Sequence, residues 1–177
     1  SVTHAMDSPK GTLHEVLESP RVEAWAPRVV VPALIRSERE NAPVLLYGVD
    51  PRKEAEVSFF RSEIVEGDSL AGGTTSGLVI GKALAKRLKI QLNHRLVIAA
   101  QDVDGNIAEL GVRVTGFFYT RPDLQKQVVF LNLAQAQTFL GLQNRISEVA
   151  FLAPHRQQVE VTTAMLQKSA PELDVRS

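Results

Sequence analysis

The sequence contains no cysteine, no excess of charge of either sign and no long apolar run. The absence of cysteine excludes disulfides and thiolate chemistry. The 20 Lys and Arg residues equal the 20 Asp and Glu residues, so no broad positive field is available to hold a nucleic acid. No segment approaches the roughly 20 apolar residues of a membrane span, and the first residues lack a signal-peptide pattern. The sequence as it stands is therefore expected neither to span a membrane nor to target itself.

The content that remains is typical of a folded domain. The chain has 177 residues, of which 44% are hydrophobic. This is enough to bury a core in one domain or in two small lobes.

Residues 77–120 carry the strongest local pattern. A helix is predicted to begin at Gly77, and Asn93 is expected to adopt a left-handed conformation in the turn that follows it. A strand over residues 96–100 and an alternating strand over residues 110–114 flank Asp104 and Gly105, a dipeptide typical of hairpin turns. The order predicts a helix, a turn and then a β-hairpin.

The segments before this unit indicate a short helix and a long hairpin. A capping-box pattern at Thr12 predicts a helix over residues 13–19. Residues 22–34 are rich in Val and Ala but contain Pro27 and Pro32, which cannot donate to a β-ladder, so strand pieces at least partly at a sheet edge are expected. Residues 44–49 then form the returning strand.

The segments after the central unit repeat a strand and helix alternation. Strands are predicted over residues 128–131 and 146–152, with helices over residues 134–140 and 157–168 and a short strand near Val175. Both ends of the chain thus read as strand, helix, strand. The predicted fold class is α+β with two lobes, one built from residues 1–32 and 145–177 and the other inserted as residues 33–144.

Two motifs resemble ligand-binding loops, and both lack required residues. The Gly77 to Ala83 segment has three residues between its glycines where a phosphate loop has four, and Ala83 replaces the hydroxyl residue that binds Mg²⁺. The segment from Asp102 resembles the start of a calcium loop, but Ile107 and Arg113 stand where a glycine and a bidentate glutamate are needed. A helix start and a hairpin tip are predicted instead.

No residue is marked for catalysis or for holding a metal or cofactor. The four histidines show no metal-ligand spacing, and Ser76 lacks the pattern of a nucleophile elbow. Trp25 is expected to pack in the core or between the lobes. We therefore predict no catalytic residue, metal or cofactor; a small hydrolase is the alternative, and it would require a pocket with converging carboxylates or a Ser/His pair.

Read end to end, the order of segments resembles the periplasmic core domain of ABC-transporter permeases of the MacB, LolC and LolE type. The resemblance is carried by LLYGVDP, GLVIGKALAKRLKI with its following turn and strand, and NLAQAQTFLGL followed by ISEV. It covers nearly the whole chain. In that family the terminal lobe is called Porter and the inserted lobe Sabre.

The resemblance implies a non-enzymatic domain outside the cytoplasmic membrane that couples ATP hydrolysis in the cytoplasm to substrate extrusion or to handover of a lipoprotein or lipid. The implied partners are a cytoplasmic ATPase subunit or domain, a second permease copy or paralogue, and a periplasmic carrier or adaptor. A stand-alone binding or adaptor module is the alternative.

The hairpin tip is the predicted contact with a partner protein. It consists of Asp102, Val103, Asp104, Gly105 and Asn106. Relatives that hand lipoproteins to a chaperone carry an extended hook-like loop at this place, so the resemblance does not by itself extend chaperone binding to this short turn.

Overall fold

The computed structural model describes residues 6–7, 11–58, 64–68, 70, 77–154, 156–171 and 174–176. Along the chain these form β1 (Met6–Asp7), α1 (Gly11–Leu17), β2 (Ala24–Arg36), β3 (Asn41–Val49), α2 (Pro51–Val57), β4 (Ile64–Gly67), β5 (Gly77–Gly81), α3 (Lys82–Leu88), β6 (Arg95–Gln101), β7 (Ile107–Phe118), α4 (Pro122–Gln127), β8 (Val128–Asn132), α5 (Leu133–Leu140), β9 (Arg145–Ile146), β10 (Glu148–Leu152), α6 (Arg156–Ser169) and β11 (Asp174–Arg176).

Six strands close into a mixed β-barrel. Strand β2 pairs with β3, β3 with β8, β8 with β5, β5 with β7, β7 with β6, and β6 returns to β2. Every strand of the ring therefore has a partner on each side along part of its length. The interior holds a continuous apolar core, to which α3 contributes Leu84 and Leu88 and α5 contributes Ala136 and Leu140.

A second apolar core lies at the other end of β2. It joins Leu13 and Leu17 of α1 with Phe151 of β10, Leu166 of α6 and Val175 of β11. The first and last described segments also meet here, since β1 pairs with β9 and α1 contacts α6. Two cores formed by these segments agree with the predicted α+β class, which is confirmed; the predicted boundaries at residues 32 and 145 stay a prediction.

Strand β2 connects the two cores as one continuous strand of 13 residues, not as separate pieces. Its first half pairs with β10 through residues 24–28, and its last three residues pair with β6. Pro32 lies in the gap between these two partners, and Pro27 lies before the region paired with β3. Each proline therefore lacks a neighbouring strand on one side. Because proline has no N–H to donate to such a neighbour, the strand tolerates both prolines.

The predicted helix start at Gly77 is wrong. Residues Gly77–Gly81 form β5, a central strand with every residue buried, and the helix begins only at Lys82. The sequence GLVIG is a short continuous apolar run, which suits a strand covered on both faces as well as the buried side of a helix. The pairing of β5 with β7 and β8 decides between them.

Most other expected elements are confirmed within the described residues, including the β2–β3 and β6–β7 hairpins and the turn in which Asn93 has φ 70°. Two short helices, α2 and α4, were not predicted from the sequence. Asp50 caps α2 by accepting from the N–H groups of Arg52 and Lys53, and Pro51 fills the first helical position. Both helices have a proline in the first turn.

Candidate functional site

The predicted partner-contact residues form a compact turn between β6 and β7. The Asp102 carboxylate accepts hydrogen bonds from the N–H groups of Asp104 and Asn106, at 3.0 and 2.9 Å. Gly105 adopts φ +84°, a left-handed conformation suited to glycine. The geometry is an aspartate-stabilised hairpin turn, and its carboxylate is committed to the backbone.

The turn is fixed against the barrel at one side and exposed at the other. Val103 donates its N–H to the carbonyl of Leu140 at 3.0 Å and packs against the barrel core. Asp104, Gly105 and Asn106 are exposed. Only this outer rim is available to a partner protein.

A network of ion pairs at the junction of the two cores was not predicted from the sequence. Arg28 of β2 donates from Nε to both oxygens of Glu54, at 3.1 and 3.0 Å, and from Nη2 to Oε1 at 2.5 Å. Its Nη1 donates to Glu148 Oε2 at 3.1 Å. Glu54 is 1% exposed and Glu148 is 6% exposed, so the guanidinium is held between two carboxylates that are almost wholly removed from water.

The network extends to the last described strand. Arg176 Nε of β11 lies 3.3 Å from Glu148 Oε1, and Arg176 also pairs with Asp174. Strand β11 pairs in parallel with β10, so Glu148 lies opposite Asp174 in the register. One carboxylate on β10 thus joins the C-terminal strand to β2 and, through Arg28, to helix α2.

The buried charges shift the pKa of their neighbours. Burial alone would lower the pKa of Arg28, but the hydrogen bonds and charges of Glu54 and Glu148 raise it above its ordinary value. Burial raises the pKa of the Tyr47 phenol, and the negative charge of Glu148 raises it further. The Tyr47 ring centroid lies 5.6 Å from the Arg28 guanidinium carbon. Arg28 is therefore charged, and Tyr47 is neutral, at any physiological pH.

Trp25 completes the junction. Its indole N–H donates to Glu18, the residue after α1, at 3.0 Å, and Lys53 Nζ of α2 lies 3.6 Å from its ring centroid. The ring also packs beside the core of α1, β10 and α6. Trp25 therefore contacts both the end of α1 and helix α2, in agreement with the expected packing role.

The sequence signal for this network was the presence of charges inside apolar strands. Arg28 interrupts the run AWAPRVVV, and Glu148 interrupts ISEVAFL. Such charges are buried only when paired. Glu54 and Glu148, the partners of Arg28, lie 26 and 120 residues away from it in the sequence. The sequence therefore indicates which charges are buried but does not identify the pairs.

The described residues contain no group of three or more His, Asp or Glu side chains that could hold a metal ion. Within the same part of the chain, no helix has the length and apolar character of a membrane span. Histidine 94 instead accepts a hydrogen bond at Nδ1 from the N–H of Gln91, within the turn before β6.

Comparisons with known proteins agree with this architecture. The chain is 29% identical over 131 residues to the lipoprotein-releasing system transmembrane protein LolE of Haemophilus influenzae; the match covers 71% of the chain and 32% of LolE. The chain thus spans about a third of the length of this curated relative. No protein-family model matches the sequence.

Solved structures share the fold over nearly the whole chain. The extracellular domain of the noncanonical ABC-type transporter YknZ from Gram-positive bacteria matches 96% of this chain and 84% of its own, with a TM-score of 0.67 and 15% identity. The periplasmic region of MacB from Actinobacillus actinomycetemcomitans matches 96% of this chain and 78% of its own, with a TM-score of 0.61 and 11% identity.

These relatives confirm the resemblance predicted from the sequence and agree with the predicted location outside the cytoplasmic membrane. The solved regions of YknZ and MacB are extracellular and periplasmic. The chain is therefore similar in sequence to part of LolE and shares the fold of the extracellular domain of YknZ and of the periplasmic region of MacB.

Proposed function

We propose that this domain transmits mechanical motion in a permease, so that ATP hydrolysis in the cytoplasm drives extrusion of a substrate or handover of a lipoprotein or lipid. The observation that carries the proposal is the fold shared with the extracellular domain of YknZ and the periplasmic region of MacB over 96% of the chain. The relation to LolE, a protein of a lipoprotein-releasing system, favours a lipid-linked cargo.

The arrangement of the terminal segments supports mechanical coupling. Strand β1 pairs with β9, and β11 pairs with β10, so the first and last described strands both join the smaller core. Motion of flanking transmembrane helices would enter the domain there. Strand β2 runs from that core into the barrel without a break and would carry the motion as a rigid element.

The ion-pair network provides a second connection along the same direction. Glu148 contacts Arg176 on β11 and Arg28 on β2, and Arg28 contacts Glu54 on α2. A displaced β11 would therefore act on β2 through Glu148, and on α2 through Arg28. The network would make the junction stiff.

The expected partners follow from the same proposal. They are a cytoplasmic ATPase, a second copy or paralogue of the permease, and a carrier or adaptor protein outside the membrane. The exposed rim of the hairpin tip, Asp104 to Asn106, is the proposed contact with the carrier. Replacing Asp104 and Asn106 by Ala in the full-length transporter should reduce carrier binding without lowering stability, because both side chains are exposed; unchanged binding would remove the tip from the interface.

The test is to replace residues 11–171 by a flexible linker in the full-length permease reconstituted in proteoliposomes with its ATPase. ATP hydrolysis should persist while substrate release is lost. Retained release would contradict the proposal. If both ATP hydrolysis and substrate release are lost, a membrane insertion assay shows whether the shortened permease is correctly inserted. A permease that is correctly inserted but hydrolyses no ATP would contradict a role of this domain confined to coupling.

A stand-alone binding or adaptor module is distinguished by the flanking sequence. A permease requires apolar spans of about 20 residues on both sides of this domain. A gene without such spans would refute the transport proposal.

A further inference from the structure

An open groove of about 960 Å³ lies on the outer face of the barrel, over β6 and β7. Its floor is formed by Val97 and Gly111, which are directly opposite each other in the β6–β7 register. A Cβ atom built on Gly111 would meet no heavy atom within 4 Å, so the groove is open above this residue. One wall is the ion pair between Arg36 and Glu109. The volume is in the range of small-molecule sites, about 300 to 1,000 Å³.

Two arginines face each other at one end of this groove. Arg95 of β6 and Arg113 of β7 are directly opposite in the antiparallel register. Like charges at such positions repel. Within the residues that the structure describes, neither guanidinium lies within ion-pair distance of a carboxylate, and Arg113 donates only to the carbonyl of Asn93, at 3.3 Å. The pair is poised to accept an anion.

The positive charge continues beyond the arginines. A smaller adjoining depression of about 480 Å³ shares Arg95, Arg113 and the carboxylate Glu38 with the groove and adds Arg39 and Lys89. Four cationic side chains therefore face one carboxylate, although the whole chain is neutral. The local excess is a property of this surface.

We propose that the groove binds a single-chain anionic amphiphile. Its phosphate or carboxylate head would lie between Arg95 and Arg113, where two planar guanidinium groups can each donate paired hydrogen bonds to anionic oxygens. Its acyl tail would lie along Val97 and Gly111. Burial of the acyl tail away from water would favour binding, and the negative charge of the head would offset the repulsion between the two arginines.

The backbone pairing favours an acyl chain over an extended peptide. Val97 of β6 is paired with Arg36 of β2 on one side and with Gly111 of β7 on the other, whereas β7 is paired with β5 only from Arg113 onward. A peptide strand laid on Val97 would find no free strand edge on β6, so its N–H and C=O groups would lose water without replacement. A saturated hydrocarbon has no such groups. This inference rests on the groove and the arginine pair, not on the proposed transport function.

The test is isothermal titration of the 177-residue chain with dodecyl phosphate below its micellar concentration, alongside inorganic phosphate, dodecanol and an acidic peptide of glutamates. The first variant, R95Q/R113Q, removes the anion-binding groups, with K86Q/R87Q on the exposed face of α3 as the charge-matched control. The second variant, G111V, fills the groove floor with a residue that suits a strand and meets no neighbour at Cβ. Circular dichroism melts establish that each variant is folded.

Dodecyl phosphate should bind the native chain and the K86Q/R87Q control equally, and should bind R95Q/R113Q and G111V at least about tenfold more weakly. Inorganic phosphate and dodecanol should each bind more weakly than the complete amphiphile. Equal binding to all variants would overturn the site. If inorganic phosphate bound as tightly as dodecyl phosphate, the groove would be a simple anion site. If the acidic peptide bound more tightly than dodecyl phosphate, the groove would be a site for a protein partner. Either result overturns the proposal.

Discussion

Arg28 and Glu54 form a bidentate ion pair between strand β2 and helix α2, with Nε at 3.0 Å from Oε2 and Nη2 at 2.5 Å from Oε1. The pair is almost wholly buried, since the Arg28 side chain is 14% exposed and that of Glu54 is 1% exposed. It connects a short helix to the strand that joins the two cores. The stability of this junction should therefore depend on keeping both charges.

Removing one partner should be costly. Glu54→Ala leaves Arg28 buried with Glu148 as its remaining carboxylate. An uncompensated buried charge typically costs about 3 to 5 kcal/mol of unfolding free energy. Because Glu148 remains, we expect a loss near the lower end of that range. Urea unfolding of both chains measures it. Glu56→Ala is the control, because Glu56 is exposed on the same helix and should change stability by less than about 0.5 kcal/mol. Equal losses for the two variants would show that the ion pair does not hold the junction.

Tyr47 should make stability depend on pH at the alkaline end. Its pKa in the folded chain is raised above the ordinary 10.0, first by burial and then by Glu148, so the unfolded chain loses the phenolic proton at lower pH than the folded chain. The contribution is complete below about pH 10 and decreases as the pH rises through the raised pKa. The difference in unfolding free energy between the native chain and Tyr47→Phe should shrink above that pH. Parallel curves for the two chains would contradict the shift.

Two glycines should respond oppositely to the same substitution. A Cβ on Gly81 would overlap the backbone of Gln125, where β5 meets α4, whereas a Cβ on Gly111 meets nothing within 4 Å. Gly81→Ala should destabilise by about 1 to 3 kcal/mol or more through forced separation of the two elements. Gly111→Ala should be neutral or stabilise by up to about 1 kcal/mol. Thermal melts give both values, and a harmless Gly81→Ala would contradict the packing of α4 on β5.

The hairpin tip should lose order when its aspartate is removed. Asp102→Ala deletes the acceptor for the N–H groups of Asp104 and Asn106. Each such bond contributes about 1 kcal/mol, and the exposed site reduces the loss by allowing water to replace it. We expect a total loss of about 1 kcal/mol and faster amide exchange at Asp104 and Asn106. Unchanged exchange at these amides would show that the carboxylate does not hold the turn.

The sequence predicted those elements whose signals are local. Asn93 and the Asp104-Gly105 turn were identified because left-handed conformations and hairpin turns depend on one or two residues. The β5 strand was missed because a five-residue apolar run does not distinguish a buried strand from a helix face; only its pairing with β7 and β8 does. Closure of the barrel depends on contacts between residues far apart in the chain, such as Leu34 with Ala99.

The same reasoning applies to the candidate sites. The hairpin tip is contiguous in sequence and was predicted, although its attachment to Leu140 was not. The Arg28, Glu54 and Glu148 network and the Arg95 and Arg113 pair are assembled by register between strands and by helix placement. A charged residue within an apolar run indicates that it has a partner of opposite charge. Which residue is that partner depends on the fold.

The most direct test of mechanical coupling is the amount of substrate released per ATP hydrolysed by the full-length transporter in proteoliposomes, compared between native protein and Glu148→Gln. Glutamine keeps the size of the side chain but removes the charge that joins Arg28 and Arg176. Glu160→Gln, on the exposed side of α6, is the control. We expect Glu148→Gln to hydrolyse ATP at the native rate with clearly reduced release per ATP, while the control is unchanged. A native ratio in the folded Glu148→Gln protein would contradict it.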